Sequence, residues 1–403
     1  MRKKNHSLRL TALLGCLALL STACQHTVAD YIPVDNDQDE DSVTNITDNY
    51  RYQIPVVFHV LYQQGDDIST ITEARIKTIL SQVNELWKGN VYYQAGRYTG
   101  TSGQTTSEDM DVDFVLASRD EKGNATSGID YEVYKGSWPL SPSDFLTSKS
   151  NIQYIWDPNE YVNIMLFDFK DSNSDGSLTL GQTSMPLTTN DNALDGLNKT
   201  TTRYIAKNKI SYTPAVCINS AYNAIAGKRI LYCEWPRYST TETSGYLNST
   251  DISMDINVTL AHELGHYFGL HHTFAEKVNG SNMDIVDSCD DTDYCDDTPS
   301  YNRKEYQQEL KELIAKAESA NKILSVAELM QRTNCDNLTF TSENFMDYNY
   351  TYGFRFTPEQ RERVRHVLYY SPMIPGPKKN GVNHSSGSRA EEETVETPLL
   401  MSK

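Results

Sequence analysis

Apolar residues in the first half of this chain follow two different periods. Residues 52–62 form a nearly continuous apolar run rich in β-branched and aromatic side chains, which predicts a buried strand. Apolar residues then recur at helical spacing as far as Trp87, after a capping box formed by Thr70 and Glu73. Further strands are predicted at residues 112–117, 161–169 and 215–219. The pattern therefore indicates several strands and at least one long helix.

Helical patterns dominate much of the second half. Residues 302–332 carry an apolar stripe at helical spacing and a second short helix capped by Ser325 and Glu328, which indicates a helical insertion that packs or forms a lid. A closing helix is predicted to begin at Thr357, with a proline in its first turn. Residues 373–403 are rich in proline, glycine, lysine, serine and glutamate, and we expect a disordered tail there.

The N-terminal segment differs from the rest of the chain. Residues 1–23 combine a basic start, a short apolar core and small residues, which is typical of an export signal peptide. Cys24 follows directly, an arrangement that resembles a bacterial lipoprotein signal in which the cysteine becomes lipidated. A secreted protein cut near Ala23 is the alternative. Residues 24–49 are acidic and polar and predict a disordered tether.

We therefore expect an exported protein anchored by lipid to a bacterial outer membrane, on its periplasmic or outer side, or otherwise a secreted one. Beyond the export signal, no run is apolar and long enough to span a membrane. Residues 50–372 form the predicted folded part of the 403-residue chain. The net charge of −18 argues against nucleic-acid binding, which needs a basic face.

The strongest chemical signal is the pattern H-E-x-x-H-x-x-G-x-x-H that begins at His262. On a helix, His262 and His266 lie on one face, where two imidazoles can reach one ion. Gly269 permits a sharp turn, so that His272 can return as the third ligand. Three protein ligands are typical of a catalytic zinc site. Glu263 lies near enough to act on a water at the metal.

A surface helix with solvated histidines is the alternative for this stretch. The flanking residues are largely apolar, which predicts a buried helix, and buried neutral histidines need a partner such as a metal. His271 adjoins His272, but the spacing from Gly269 favours His272 as the ligand.

An acidic stretch follows the motif, and its carboxylates are candidate calcium ligands: Asp290, Asp291, Asp293, Asp296 and Asp297. A solvated acidic loop explains the same residues equally well.

Cysteines of an exported chain can form disulfides. Cys217 can pair with Cys233, and either Cys289 or Cys295 can pair with Cys335.

Two residues near the end of the folded part are further candidates. Met346 lies in a predicted tight turn, where an apolar residue is usually core, and in zinc proteases of the metzincin type such a methionine lies beneath the metal. Tyr348 could place its phenol near the metal and stabilise developing negative charge on oxygen. The strand around residues 217–219 is a candidate edge for pairing with an extended peptide.

Together these features resemble the pappalysin family of metzincin metallopeptidases, and most closely its bacterial lipoprotein members. The residues that carry the resemblance are 54–60, 262–274, 296–299 and 344–348. The resemblance implies an α/β (α+β) fold with a twisted mixed sheet, helices that include the active-site helix, and a small irregular C-terminal subdomain. It places the upper subdomain at residues 50–270 and the lower one at 271–372. The insertion at 302–332 departs from the family pattern.

The function expected from this combination is zinc-dependent hydrolysis of peptide bonds in protein or peptide substrates, with Glu263 as general base and Tyr348 in support. The resemblance also implies calcium in some relatives. Two alternatives remain: a zinc hydrolase that acts on a non-peptide substrate, and a cell-surface binding lipoprotein with a non-catalytic metal site.

Overall fold

A mixed sheet lies at the centre of the fold. The computed structural model describes residues 47–69, 71–89, 107–170, 179–220, 256–322, 324–348, 350–351, 353–379 and 398–403. The strands are β1 (Tyr52–Tyr62), β2 (Val112–Leu116), β3 (Ile129–Val133), β4 (Val162–Phe167), β5 (Gly181–Ser184), β6 (Thr188–Thr189), β7 (Lys199–Thr200), β8 (Val216–Asn219), β9 (Glu276–Asn279), β10 (Asn282–Ile285), β11 (Gln331–Thr333), β12 (Thr339–Thr341) and β13 (Leu400–Ser402). The helices are α1 (Glu73–Trp87), α2 (Pro142–Thr147), α3 (Ile256–Tyr267), α4 (Arg303–Ser319), α5 (Val326–Leu329) and α6 (Pro358–Tyr370). The expected α/β class with a mixed sheet is confirmed. The predicted signal peptide, Cys24 and the tether as far as residue 46 lie outside the described residues.

The sheet combines a parallel half with a mixed half. Its strands lie in the order β2-β1-β4-β8-β5-β13-β10-β9, and β3 pairs with the second half of β1. Strands β1, β2, β3, β4 and β8 pair in parallel, whereas β5 runs antiparallel to β8. Residues 56–61 of β1 are buried, because this strand has neighbours on both sides and elements on both faces. Burial on both faces explains the near-continuous apolar run in the sequence.

Strand β8 is internal, so the predicted substrate-pairing edge at residues 217–219 is wrong. The short strand β5 pairs with β8 along Gly181 to Thr183 and separates it from solvent. Strand β5 is polar and only four residues long, with the sequence Gly-Gln-Thr-Ser, so it carries no apolar signal. Its own far side pairs with β13.

Helix α3 is packed into the main core against α1. All twelve residues of α3 are buried, as the apolar flanks of the motif predict. The Trp87 ring at the end of α1 meets Phe268 edge-on at 5.7 Å, and its indole N–H donates to the Ala261 carbonyl at 3.4 Å. Thr72 caps α1 by accepting from the N–H of Arg75. The predicted cap, Thr70, lies outside the described residues.

The helical insertion predicted at residues 302–332 forms α4, α5 and the beginning of β11. Ser325 and Glu328 make the predicted capping box. The Ser325 N–H donates to the Glu328 carboxylate at 2.8 Å, and the Glu328 N–H donates to the Ser325 hydroxyl at 3.3 Å. Two buried arginines attach the insertion to the rest of the fold. Arg303 lies 3.4 Å and Arg332 lies 3.6 Å from the carboxylate of the buried Asp347. Because isolated buried charges are costly, this arrangement fixes the insertion against the turn that follows Met346.

The expectation of a disordered tail at residues 373–403 is wrong for residues 373–379 and 398–403. Met373 and Ile374 are buried, and residues 400–402 form β13. The apolar side chains of Leu399, Leu400 and Met401 are buried as well, which gives this end of the chain a reason to fold. None of the helices in the described part of the chain has the length and apolar character needed to cross a membrane.

Candidate active site

Three histidine side chains converge at the end of α3. The Nε2 atom of His266 lies 2.9 Å from that of His262 and 3.0 Å from that of His272, and the third distance is 3.3 Å. His262 and His266 lie one helical turn apart on α3. The chain then turns at Gly269, whose φ is +92°, and this turn brings His272 back to the other two histidines. A Cβ at Gly269 would also lie 2.8 Å from Val367. Among the described residues, these histidines are the one group of three or more candidate ligand side chains that could hold a metal ion.

A backbone carbonyl outside the cluster orients two of the histidines, and a carboxylate lies beside the third. The Nδ1 atom of His262 lies 2.5 Å from the carbonyl oxygen of Phe345, and that of His266 lies 2.7 Å from the carbonyl oxygen of Leu270. The Nδ1 atom of His272 lies 2.8 Å from the carboxylate of Glu276. A proton on Nδ1 leaves the Nε2 lone pair directed at the common point. Glu276 was not among the sequence candidates. It is buried, and burial raises its pKa to about 8.

The arrangement fits a zinc ion. Nitrogens bound to tetrahedral zinc at about 2.0–2.1 Å lie about 3.3 Å from one another, close to the spacing of the three Nε2 atoms. Burial holds the pKa of all three histidines well below the usual value, so the rings are neutral and have lone pairs to donate. Three protein ligands also match the number found in catalytic zinc sites.

Glu263 is a residue of α3, and its side chain reaches strand β5. Its carboxylate accepts a hydrogen bond of 2.6 Å from the Thr183 hydroxyl. Gly181 lies so close that a Cβ there would be 2.5 Å from Glu263. Burial raises the pKa of Glu263 to about 8, and the Thr183 hydroxyl and Lys403 lower it. The carboxyl therefore holds a proton to a higher pH than an exposed glutamate does.

Met346 packs against α3 at Gly265, a residue between two of the histidine ligands. A Cβ at Gly265 would lie 2.6 Å from the Met346 sulfur, so the glycine between His262 and His266 allows this close approach. The turn is held by the Asn344 side chain, which accepts from the Met346 N–H at 2.8 Å. The methionine is fully buried and belongs to the main hydrophobic core. It is thus a core residue that packs against the ligand-bearing helix, and its position beneath a metal stays a prediction.

Tyr348 is placed beside the cluster. Its ring centroid lies 4.4 Å from that of His272, and the guanidinium of Arg303 lies 4.7 Å above the ring. Burial raises its pKa well above the usual value, so the phenol keeps its proton and remains a donor. The hydroxyl donates to the carbonyl of Ser402, near the C-terminus of the chain.

The five aspartates suggested for calcium do not converge in this structure. Asp291 accepts from the N–H groups of Asp293 and Tyr294, whereas Asp297 accepts from the first turn of α6. Asp293 is buried and accepts from the Thr298 hydroxyl at 2.5 Å. The carboxylates therefore serve different local turns and caps.

His271, the neighbour of the third ligand, packs against Tyr294 with ring centroids 5.3 Å apart, away from the cluster.

One predicted disulfide is present. Cys289 pairs with Cys335, whereas Cys295 is a buried free thiol, which decides between the two partners left open by the sequence. Cys217 is also a buried free thiol, in β8. Cys233, its expected partner, lies outside the described residues.

Comparisons with known proteins add a family match. Residues 239–369 match the M43 peptidase family, described as pregnancy-associated plasma protein-A. No curated protein matches the chain. Among solved structures, mature mirolysin of Tannerella forsythia in complex with a cleaved peptide is similar over 78% of this chain and 90% of its own, with a TM-score of 0.47 and 21% identity. Mirolysin in complex with compound 9 is similar over 79% of this chain and 92% of its own, with a TM-score of 0.47 and 20% identity.

Proposed function

We propose that the chain is a zinc-dependent endopeptidase with Glu263 as its general base, a proposal supported by the match of residues 239–369 to the M43 peptidase family. His262, His266 and His272 would hold the zinc. When bound, zinc supplies Lewis-acid assistance to the attacking water and to the scissile carbonyl. The observation that carries the proposal is the convergence of the three buried Nε2 atoms within 3.3 Å of one another.

The side chains around the cluster account for the proton transfers. Glu263 takes a proton from the attacking water and delivers it to the departing amine. The Thr183 hydroxyl, 2.6 Å from the Glu263 carboxylate, fixes its orientation. Tyr348, which keeps its proton, donates a hydrogen bond to the carbonyl oxygen as negative charge develops there. Peptide bonds are the expected substrate, since a carbonyl and a leaving amine are the two groups that these residues serve.

The test combines metal content with cleavage. The full chain, Glu263→Ala and His272→Ala are each loaded with zinc, dialysed and analysed for bound metal, then incubated with a mixed peptide library whose products are mapped by mass spectrometry. We expect one zinc per chain in the unmodified protein and in Glu263→Ala. The glutamate variant should cleave roughly a hundredfold to ten-thousandfold more slowly, the usual contribution of a general base.

His272→Ala is expected to lose its zinc, because two imidazoles bind more weakly than three. Arg75→Ala, a substitution on α1 outside the site, serves as the matched control and should keep both zinc and cleavage. Unchanged cleavage by Glu263→Ala, or unchanged zinc content in His272→Ala, would contradict the proposed roles.

A further inference from the structure

The last strand of the chain fills a gap in the sheet. Strand β13 runs antiparallel to β5, with Leu400 opposite Ser184 and Ser402 opposite Gln182. On its other side, the Leu400 N–H donates to the Ser281 carbonyl at 2.6 Å, beside β10. Strand β13 therefore joins β5 to the β9–β10 hairpin.

Backbone hydrogen bonds hold this segment along its whole length. The Met185 N–H donates to the Leu399 carbonyl at 2.8 Å, and the Leu180 N–H donates to the Lys403 carbonyl at 2.8 Å. The Lys403 N–H donates to the Gly181 carbonyl at 3.0 Å. This is the pattern by which an extended peptide adds a strand to a sheet edge, where main-chain bonds give affinity and side-chain pockets give selectivity.

The side chains of the segment are accommodated on both faces of the sheet. Leu399 and Met401 belong to the core cluster that contains Met346, whereas Leu400 belongs to a different cluster on the sheet. Met401 lies opposite Thr183, whose hydroxyl binds Glu263, so the two side chains share the face that carries the site. All three apolar side chains are 5% exposed or less.

The end of the segment reaches the reacting groups. The Ser402 carbonyl accepts from the hydroxyl of Tyr348. The peptide bond between Ser402 and Lys403 thus presents its oxygen to the proposed oxyanion donor, as the scissile bond of a substrate would.

We propose that residues 398–403 are an internal ligand of the peptide-binding groove along β5, and that they block the site until they leave it. The inference rests on the proposed peptidase function. A substrate and this segment cannot both pair with β5, because a strand edge offers each N–H and carbonyl once. The groove would then take an extended peptide with apolar side chains at the second, third and fourth positions before its reacting bond, matching Met401, Leu400 and Leu399.

The binding test is independent of turnover. A fluorescein-labelled peptide with the sequence of residues 397–403 is titrated, in the Glu263→Ala background, against the full chain and against a chain that ends at Thr397. We expect the shortened chain to bind the peptide at least tenfold more tightly than the full chain. Equal affinity, or binding by neither chain while circular dichroism and zinc content are unchanged, would overturn the proposal.

The activity test uses the same two lengths with Glu263 present. The kcat/KM for an unrelated cleavable peptide should rise at least tenfold in the shortened chain, and the 397–403 peptide should inhibit it competitively. Equal kcat/KM at both lengths would contradict blocking. If no form of the protein cleaves any peptide, the proposed function fails, while the anisotropy result still decides whether the segment occupies the groove.

A point substitution covers the case in which the shortened chain does not fold. Met401→Asp in the full chain places a charge on a buried side chain of the segment, so the segment should leave the groove and kcat/KM should rise. Leu338→Asp is the matched control, because that side chain is 63% exposed and lies on the hairpin loop between β11 and β12. A Met401→Asp protein with a normal melting temperature and unchanged kcat/KM would refute the proposal.

Discussion

At the scale of single residues, Glu276 is the functional candidate that the sequence did not reveal. It follows His272 by four positions, but the segment between them is not a helix, so the spacing carries no periodic signal. Only the fold places its carboxylate 2.8 Å from the Nδ1 of His272. The three ligands and Glu263, by contrast, lie in one short pattern whose geometry follows from helical spacing and a glycine turn. Local patterns are predictable, whereas partners brought in by tertiary packing are not.

This position leads to a prediction about metal affinity. Glu276→Gln keeps the shape of the side chain but replaces the carboxyl group beside Nδ1 of His272 by an amide, so zinc affinity should fall by about 10–100-fold. Competition with a chromophoric chelator measures the change. Glu305→Gln, on the exposed side of α4, should bind zinc as the unmodified protein does. Equal affinity in both variants would show that Glu276 has no role at the metal.

Asp293 gives a prediction about pH. Burial raises its pKa from 3.8 to about 8, with Asp291 adding to the rise and Thr298 opposing it. The folded state therefore binds this proton more tightly than the unfolded chain does, and the free energy of unfolding falls as pH rises from about 4 to 8. Asp293→Asn should remove this part of the pH dependence, as measured by urea unfolding at pH 5 and pH 9.

The control for that measurement lies in the same loop. Asp290 is exposed, so Asp290→Asn should lose as much stability between the two pH values as the unmodified protein. If Asp293→Asn also behaves like the unmodified protein, the raised pKa of Asp293 does not contribute to folding stability.

At the scale of elements, helix caps and long apolar strands follow from the sequence, and short polar strands do not. Strand β1 has the predicted bounds, and α6 begins at Pro358, directly after its N-cap Thr357 and with the predicted proline in its first turn. Strand β5, which carries Thr183, is a polar tetrapeptide that tertiary contacts alone convert into a strand. The composition around β13 predicts a disordered tail, and the three apolar residues of this segment are too few to outweigh that signal.

The disulfide joins two loops and yields a prediction about stability. Cys289 and Cys335 are 46 residues apart and enclose the whole helical insertion. Replacing both by serine frees this loop in the unfolded chain, so the free energy of unfolding should fall by about 2–4 kcal/mol. Urea unfolding with and without a reductant measures the effect. The unmodified protein should lose stability on reduction and the double variant should not; stability unaffected by both changes would contradict the prediction.

At the scale of the whole molecule, the site is assembled from segments far apart in the chain. Thr183 and Glu263 are 80 residues apart, and Tyr348 and Ser402 are 54 residues apart. Packing of α3 against β5 brings Thr183 and Glu263 together, and the turn that contains Met346 brings in Tyr348. The sequence supplies the zinc motif, the methionine and the tyrosine as separate signals. The strand that lies beside these residues depends on the order of the strands in the sheet, and no local sequence pattern encodes that order.

The joining of β5 to β10 through β13 has a consequence for solubility. A sheet edge with unpaired N–H and carbonyl groups is a template for association with other chains. With β13 in place, the backbone of residues 180–185 is paired with this chain's own end rather than with a neighbour's. Any event that clears the groove for a substrate also uncovers this edge, so the form able to cleave is also the form most exposed to self-association.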